Sequence, residues 1–443
     1  MSLPAYPEYK ESGVSRIGKL PSHWSLSPLK RNFILYGGST PKSDEEKYWN
    51  GEIFWVSPAD LSKLSTLYID NSARKITCAG LEACAATLVP KGTIILSTRA
   101  PIGSLAIADT ELCTNQGCKS LVPQPGADPL YFAYCLLAST EALQLQGKGT
   151  TFLELSADEL GAFKLPFPSY VEQIAIATFL NCETGKIDTL ISEQENLLTL
   201  LVEKRQATIS HAVTRGLNPD APIKDSGVAW LGEVPAHWST GALGYLCSIE
   251  TGATPDRGNL RYWGGTIPWI KTGEINWLPI SGAEECISEE GVANSATRLA
   301  KPNTLLMAMY GQGVTRGRVA LLEIEAAYNQ ACAAMFFGPR ILPMFALYFF
   351  MAAYSYIRDS GNETSQMNLN ASLVAKFKIT IPPIIEQTKI IAFLTREITK
   401  FDRLKAEAEN AIALLKERRS ALISAAVTGK IDVRNAVGKG QAT

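Results

Sequence analysis

The chain has 443 residues and a mass of 48.1 kDa, a length that suits two to three domains. Hydrophobic residues make up 46% and charged residues 19%, which argues against a mostly disordered or supercharged chain. Lys plus Arg number 42 against 43 Asp plus Glu, for a net charge of −1. A histone-like polycation is excluded, but local basic patches can hide in a neutral total. Nine Cys and three His occur, with no CxxC pair, and His23, His211 and His237 are too dispersed for zinc spacing. We read the thiols as reduced and mostly buried. The N-terminus carries no apolar signal region. The most apolar run, 341–354, contains Pro343 and is too short for a membrane span. A soluble, cytoplasmic protein without a membrane partner is expected.

Read from the N-terminus, the chain is one unit written twice. SGVSRIGKLPSHW at 12–24 returns as SGVAWLGEVPAHW at 226–238. The same offset relates Thr40-Pro41 to Thr254-Pro255, Trp49 to Trp263, Trp55 to Trp269, Asn115-Gln116 to Asn329-Gln330, and Glu172-Gln173 to Glu386-Gln387. Within each copy, short β-type runs such as 53–56, 93–97 and 105–108 alternate with Gly and Pro. A helix is expected over 129–146, with Asp128 as cap and Pro129 in its first turn, and its counterpart should open at Pro343.

A long helix follows in each copy. Ser169-Tyr170-Val171-Glu172 fits a capping box after the breaker run Leu165-Pro166-Phe167-Pro168. Apolar positions then recur every seven residues at Leu180, Ile187 and Leu201, with Gln194 and Thr208 softening the row and Leu190 and Leu197 beside it. The second copy repeats this with Leu394, Phe401, Ala408, Leu415 and Leu422, flanked by Leu404 and Ala411. From Gln173 to Thr214 such a helix spans roughly 63 Å. Two such helices in one chain should pair antiparallel.

The expected fold class is therefore mixed α/β of the α+β type: two globular domains joined by two long helices in an antiparallel coiled coil, as a pseudo-two-fold tandem repeat. The expected parts are an N-terminal segment 1–24, a globular domain 25–168, a helix 169–216, a connector 217–238, a second globular domain 239–382, a second helix 383–430 and a tail 431–443. Residues 12–24 should pack against the end of helix two, with Ile17 and Trp24 playing the parts of Leu231 and Trp238.

These blocks resemble the specificity subunit of Type I restriction–modification systems, over nearly the whole chain. The resemblance rests on 12–24 and 226–238, on TPKSDEEKYWNGEIFW and TPDRGNLRYWGGTIPW at 40–55 and 254–269, and on the two EQ-started helices. It implies two target-recognition domains with helical spacers, reading a split, asymmetric sequence in double-stranded DNA. The implied partners are two adenine methyltransferase subunits and translocase–endonuclease subunits. Those partners would use S-adenosylmethionine, ATP and Mg, while this chain would bind no cofactor and no metal.

The residues themselves favour a non-enzymatic reading. Asn218-Pro219 is followed by Asp220 rather than a methyltransferase motif, the isolated Gly311-Gln312-Gly313 is a weak nucleotide signal, and no phosphate-binding GxxxxGK[ST] loop occurs. A coiled-coil adaptor with two protein-binding domains is the alternative, and a methyltransferase with divergent motifs a third.

If the two halves read different sequences, shared residues cannot carry the difference. Trp49, Trp55, Trp263 and Trp269 then read as scaffold, with stacking on DNA as the alternative, and the His-Trp pairs at 23–24 and 237–238 as junction packing. Asn115, Gln116, Asn329 and Gln330 could satisfy a turn or contact the DNA backbone. Differing cations and amides suit base edges and phosphates. The DNA-contact candidates are Lys42, Ser57, Arg99, Lys119 and Lys148 in the first domain, and Arg257, Lys271, Tyr310, Gln312, Arg316, Arg318 and Gln366 in the second. Glu203-Lys204-Arg205 and its match Glu417-Arg418-Arg419 should lie on a solvated helix face, or dock a partner.

Overall fold

A computed structural model describes residues 3–148, 153–311, 315–359 and 369–436. It separates into two compact units, 1–194 with 410–443, and 195–409. Each unit therefore gathers one globular domain, part of its own long helix, and a stretch of the other long helix.

In the first unit, a five-stranded sheet runs in the order Phe33–Gly37, Cys118–Pro123, Ile94–Ser97, Leu105–Ala108, Tyr68–Ile69. A three-stranded sheet runs Cys113–Thr114, Trp49–Val56, Arg74–Ile76. Ile94, Ile95, Leu96 and Ala106 are fully buried, as residues with both faces covered must be. The expected helix over 129–146 is broken in two, Pro129–Leu137 and Thr140–Gln146. The break falls at Ala138-Ser139, where the Leu136 and Tyr134 carbonyls close the first piece. Asp128 caps that piece by accepting from the Tyr131 N–H at 2.8 Å.

The second unit repeats the plan with two four-stranded sheets. One orders Cys247–Thr251, Cys332–Phe337, Leu305–Ala308, Val319–Leu321, and the other Glu285–Ile287, Trp263–Ile270, Ala326–Tyr328, Leu299–Ala300. Its apolar helix is unbroken from Pro343 to Asp359. In each unit a two-stranded ribbon returns the chain to its long helix. Lys164–Phe167 pairs with Ser25–Pro28, and Lys378–Ile381 with Ser239–Ala242.

The long helices are Tyr170–Arg215 and Ile384–Val427. In the first unit Ile176, Ala177 and Leu180 share a core with Ile423, Ala426 and Val427, while Asp188 binds Arg419 through two bonds of 2.8 and 3.2 Å. Residues later in one helix meet residues earlier in the other, which is antiparallel packing. In the second unit Ile209, Ala212 and Val213 share a core with Ile390 and Leu394, and Arg205 lies 3.8 Å from Asp402, with the same sense. Leu180 and Leu394 are thus buried in different cores.

Two helix expectations need correction. The row Leu180, Ile187, Leu201 is buried, but Leu190 and Leu197 are 45% and 40% exposed. The companion row is one residue later, at Thr184, Ile191 and Leu198, with Thr184 buried and bonded to the Leu180 carbonyl at 2.7 Å. Arg205 and Arg419 are not simply solvated either. They are matched positions across the helix pair, where Arg419 bonds Asp188 and Arg205 faces the matched Asp402 at 3.8 Å.

The segment before the first globular domain belongs to the first unit's core. Trp24 is fully buried with Ile17, Ile423, Ala426 and Val427. The Tyr9 hydroxyl donates to the Gly429 carbonyl at 2.9 Å, and the Asp432 N–H to the Pro4 carbonyl at 2.7 Å. Gly429 has φ +71°, and a Cβ there would press on Pro21 and on the Trp24 ring. Gly216 in the second unit has φ +76°, with a Cβ position 3.0 Å from the Trp238 ring. Both end their helices in the left-handed conformation that favours glycine, and both lay bare backbone against an indole.

Candidate nucleic-acid interface

At the start of each long helix, one Glu and one Gln fix the globular domain. Glu172 accepts from His23 Nε2 at 2.9 Å, from Trp24 Nε1 at 3.4 Å and from the Ser169 hydroxyl at 3.0 Å. Burial alone would push its pKa up, but these three donors outweigh that and hold it below the ordinary value of 4.5. Glu386 takes the same place with His237 at 2.7 Å and Trp238 Nε1 at 2.9 Å. The buried Gln173 accepts from the Asp128 N–H at 2.9 Å and donates to the Gly126 and Pro168 carbonyls, both at 3.1 Å. Gln387 does likewise with Leu342, Arg340 and Pro382, each at 2.8 Å. The His-Trp segments are junction packing.

In each globular domain the repeated Trp pair holds up a loop. Trp49 and Trp55 meet edge to face at 5.3 Å, and Trp263 and Trp269 at 5.1 Å. Trp49 Nε1 donates to the Lys42 carbonyl at 3.1 Å and Trp55 Nε1 to that of Ser39 at 2.9 Å. Their counterparts donate to Asp256 and Ala253 at 3.1 and 3.0 Å. The loop then presses on the Asn-Gln turn so closely that a Cβ on Gly38 would overlap the Asn115 carbonyl, and one on Gly252 that of Tyr328. Only glycine fits there.

The structure brings several candidates together at this turn. Asn115 Oδ1 accepts from the Gly117 N–H at 3.0 Å, Asn329 Oδ1 from that of Ala331 at 3.1 Å, and Gln116 and Gln330 bond the Thr40 and Thr254 hydroxyls. The Asn115 N–H reaches the Val56 carbonyl at 2.9 Å, which places Ser57 alongside. Ser57 is occupied as a helix cap, its hydroxyl on Asp60 at 2.5 Å. Lys271 is its match, and Glu274 accepts from the Lys271 N–H at 2.7 Å. Thr98 bonds the Gly117 carbonyl through its N–H at 2.8 Å, so Arg99 emerges beside the same turn.

The cations differ in how far they are neutralised. Arg99 binds Glu154 at 3.0 Å and Lys148 binds Glu159 at 2.6 Å. That bond holds the Lys148 pKa above, and the Glu159 pKa below, its ordinary value. Lys42 and Lys119 have no ion pair among the described residues. In the second unit, Glu285 takes both Arg257 at 2.7 Å and Lys271 at 3.0 Å, and Lys271 also reaches Glu284 at 2.9 Å. Hydrogen bonds from Arg257 and then Lys271 draw the Glu285 pKa down. Arg316 donates to the Arg358 carbonyl, Arg318 buries an Nε that has no partner among the described residues, and Tyr310 is 37% exposed at the head of its loop. Gln312 and Gln366 lie outside the described residues.

One cation escaped the sequence reading. Arg74 lies 3.5 Å above the Trp49 ring. Its signal was a cation in a short β-type run, legible only once strand register is known. Among the described residues no group of His, Cys, Asp and Glu could hold a metal, and no helix is long and apolar enough to cross a membrane.

Fold and site together define a duplicated recognition protein, in which two similar domains with differing polar rims are held by paired helices. The sequence pattern of the Type I restriction modification DNA specificity domain matches residues 21–199 and again 235–414. The chain therefore belongs to that family, as a DNA sequence-specificity subunit with two recognition domains. It is 27% identical over 324 residues to the Type I restriction enzyme MjaIX specificity subunit of Methanocaldococcus jannaschii, covering 72% of each chain. It is 28% identical over 177 residues to the EcoR124I/EcoR124II specificity subunit of Escherichia coli, covering 39% of this chain and 42% of that one. A chain in a solved structure of the type I R-M system aligns with a TM-score of 0.73 at 15% identity, over 92% of this chain and 98% of that one. The HsdS subunit of Thermoanaerobacter tengcongensis aligns at 0.56 and 15%, over 93% and 98%.

Proposed function

We propose that this chain is the non-catalytic targeting subunit of a restriction–modification complex. Each recognition domain reads one half of a split, asymmetric duplex target, and the paired helices set the unspecified gap. Methyltransferase subunits and translocase–endonuclease subunits dock on the chain and bring S-adenosylmethionine, ATP and Mg. The carrying observation is the pairing of a shared scaffold with a divergent rim. Trp, Asn-Gln and Glu-Gln anchors recur in both units, while the repeat replaces Lys42 by Asp256 and Ser57 by Lys271. A chain evolved for one ligand twice would keep the rim as well.

The test is sequencing of methylated adenines in cells expressing the chain with a methyltransferase partner. A two-part motif with a fixed gap is expected, with none in cells lacking the chain. Methylation by the purified chain with S-adenosylmethionine alone would overturn the non-catalytic reading.

A further inference from the structure

The Trp pair carries a guanidinium in both units, but the arginine comes from different places. In the first unit Arg74 sits on the strand facing Trp55 in register and lies 3.5 Å over the Trp49 ring. In the second unit the position facing Trp269 is Glu285. There Arg257, from the preceding loop, lies 3.9 Å over the matching Trp263 ring, tied to Glu285 at 2.7 Å. The residue facing the Trp has changed from Arg to Glu, yet a guanidinium still covers the same indole.

Stacking occupies one face of the guanidinium and leaves its in-plane N–H donors directed outward. It also removes rotamer freedom before any ligand arrives. Arg74 is exposed and forms no ion pair among the described residues, and Lys42, held by the same indole through its carbonyl, has none either. The two cations of the first platform are thus unpaired among the described residues. The second pairs Arg257 and Lys271 with Glu284 and Glu285 and is compensated.

We propose that Arg74 and Arg257 are equivalent contacts to the DNA phosphate backbone, positioned by the first indole of each pair, and that the first contact is the stronger. A cation present in both domains serves what both half-sites share, which is phosphate rather than a base. Glu285 competes with the phosphate for Arg257. This inference rests on the DNA-reading function proposed above.

The experiment is a salt titration of binding to a fluorescein-labelled mixed-sequence duplex by the chain assembled with its methyltransferase partner. Arg74→Ala should lower the slope of log K against log salt by about one. Arg74→Lys should keep the slope, and Arg257→Ala should change it less. Glu285→Gln should raise both affinity and slope by releasing Arg257, and it carries the test if the alanine variants fold poorly. Unchanged slopes for Arg74→Ala and Glu285→Gln, with wild-type binding intact, overturn this proposal alone. Absence of wild-type binding removes the DNA-reading function with it.

Discussion

The two helix starts and the two indole platforms have diverged to different degrees. At the helix starts, His23, Trp24, Glu172 and Gln173 are reproduced residue for residue by His237, Trp238, Glu386 and Gln387, with nearly the same bonds. At the platforms the indoles and the Asn-Gln turn persist, but Arg74 faces one Trp where Glu285 faces the other. Positions that hold a helix to a domain have one workable chemistry, because a buried donor or acceptor without its partner costs about 1–3 kcal/mol. Positions at the rim face water and tolerate a change of sign. A duplicated chain thus separates assembly from recognition.

The largest effect is expected from lengthening the long helix Tyr170–Arg215. Four residues inserted after Leu198 lengthen the first helix by about 6 Å. The methylated motif should then change its gap and keep both half-site sequences. Methylation at the original gap would refute the helices as a ruler.

A smaller effect tests the equivalence of the anchors. Trp24→Ala and Trp238→Ala each empty a fully buried site and should each cost about 3–5 kcal/mol. Thermal melting should show two similar losses. A loss at one position only would show that the helix ends are not held alike.

The smallest effect is in acid. Glu172 has a folded pKa below 4.5, so its stabilising contribution is present above about pH 4.5 and is lost as pH falls through its lowered value. Asp432, drawn below 3.8 chiefly by its hydrogen bond from Arg434, contributes above about pH 3.8 and loses that contribution as pH falls through its lowered value. Glu172→Gln should lower Tm by a few degrees at pH 7 and by less near pH 4, so the two melting curves converge in acid. A constant difference would assign the effect to packing.

Much of the fold was legible because duplication and seven-residue periodicity survive as letters. The helix seam lies one residue away from the row that Leu190 and Leu197 suggest, because they are apolar but exposed, whereas the buried companion is Thr184, whose hydroxyl shares a hydrogen bond with Tyr134 at 3.2 Å. A polar residue that satisfies itself inside a core gives no sequence signal. The candidate site was less legible. Arg99 and Lys148 read as free cations, but Glu154 and Glu159 reach them through the fold. Arg74 carries no local signal, because only strand register shows that it faces Trp55. Neutralisation and stacking are set by tertiary neighbours, which a local pattern does not contain.

Each recognition domain is proposed to read one half-site by itself. This independence is tested most directly by replacing residues 239–382 with a second copy of 25–168 and sequencing the methylated adenines in cells that carry the methyltransferase partner. The expected motif has its second half replaced by the sequence read by the first domain, with the gap unchanged. A motif retaining its original second half would contradict it.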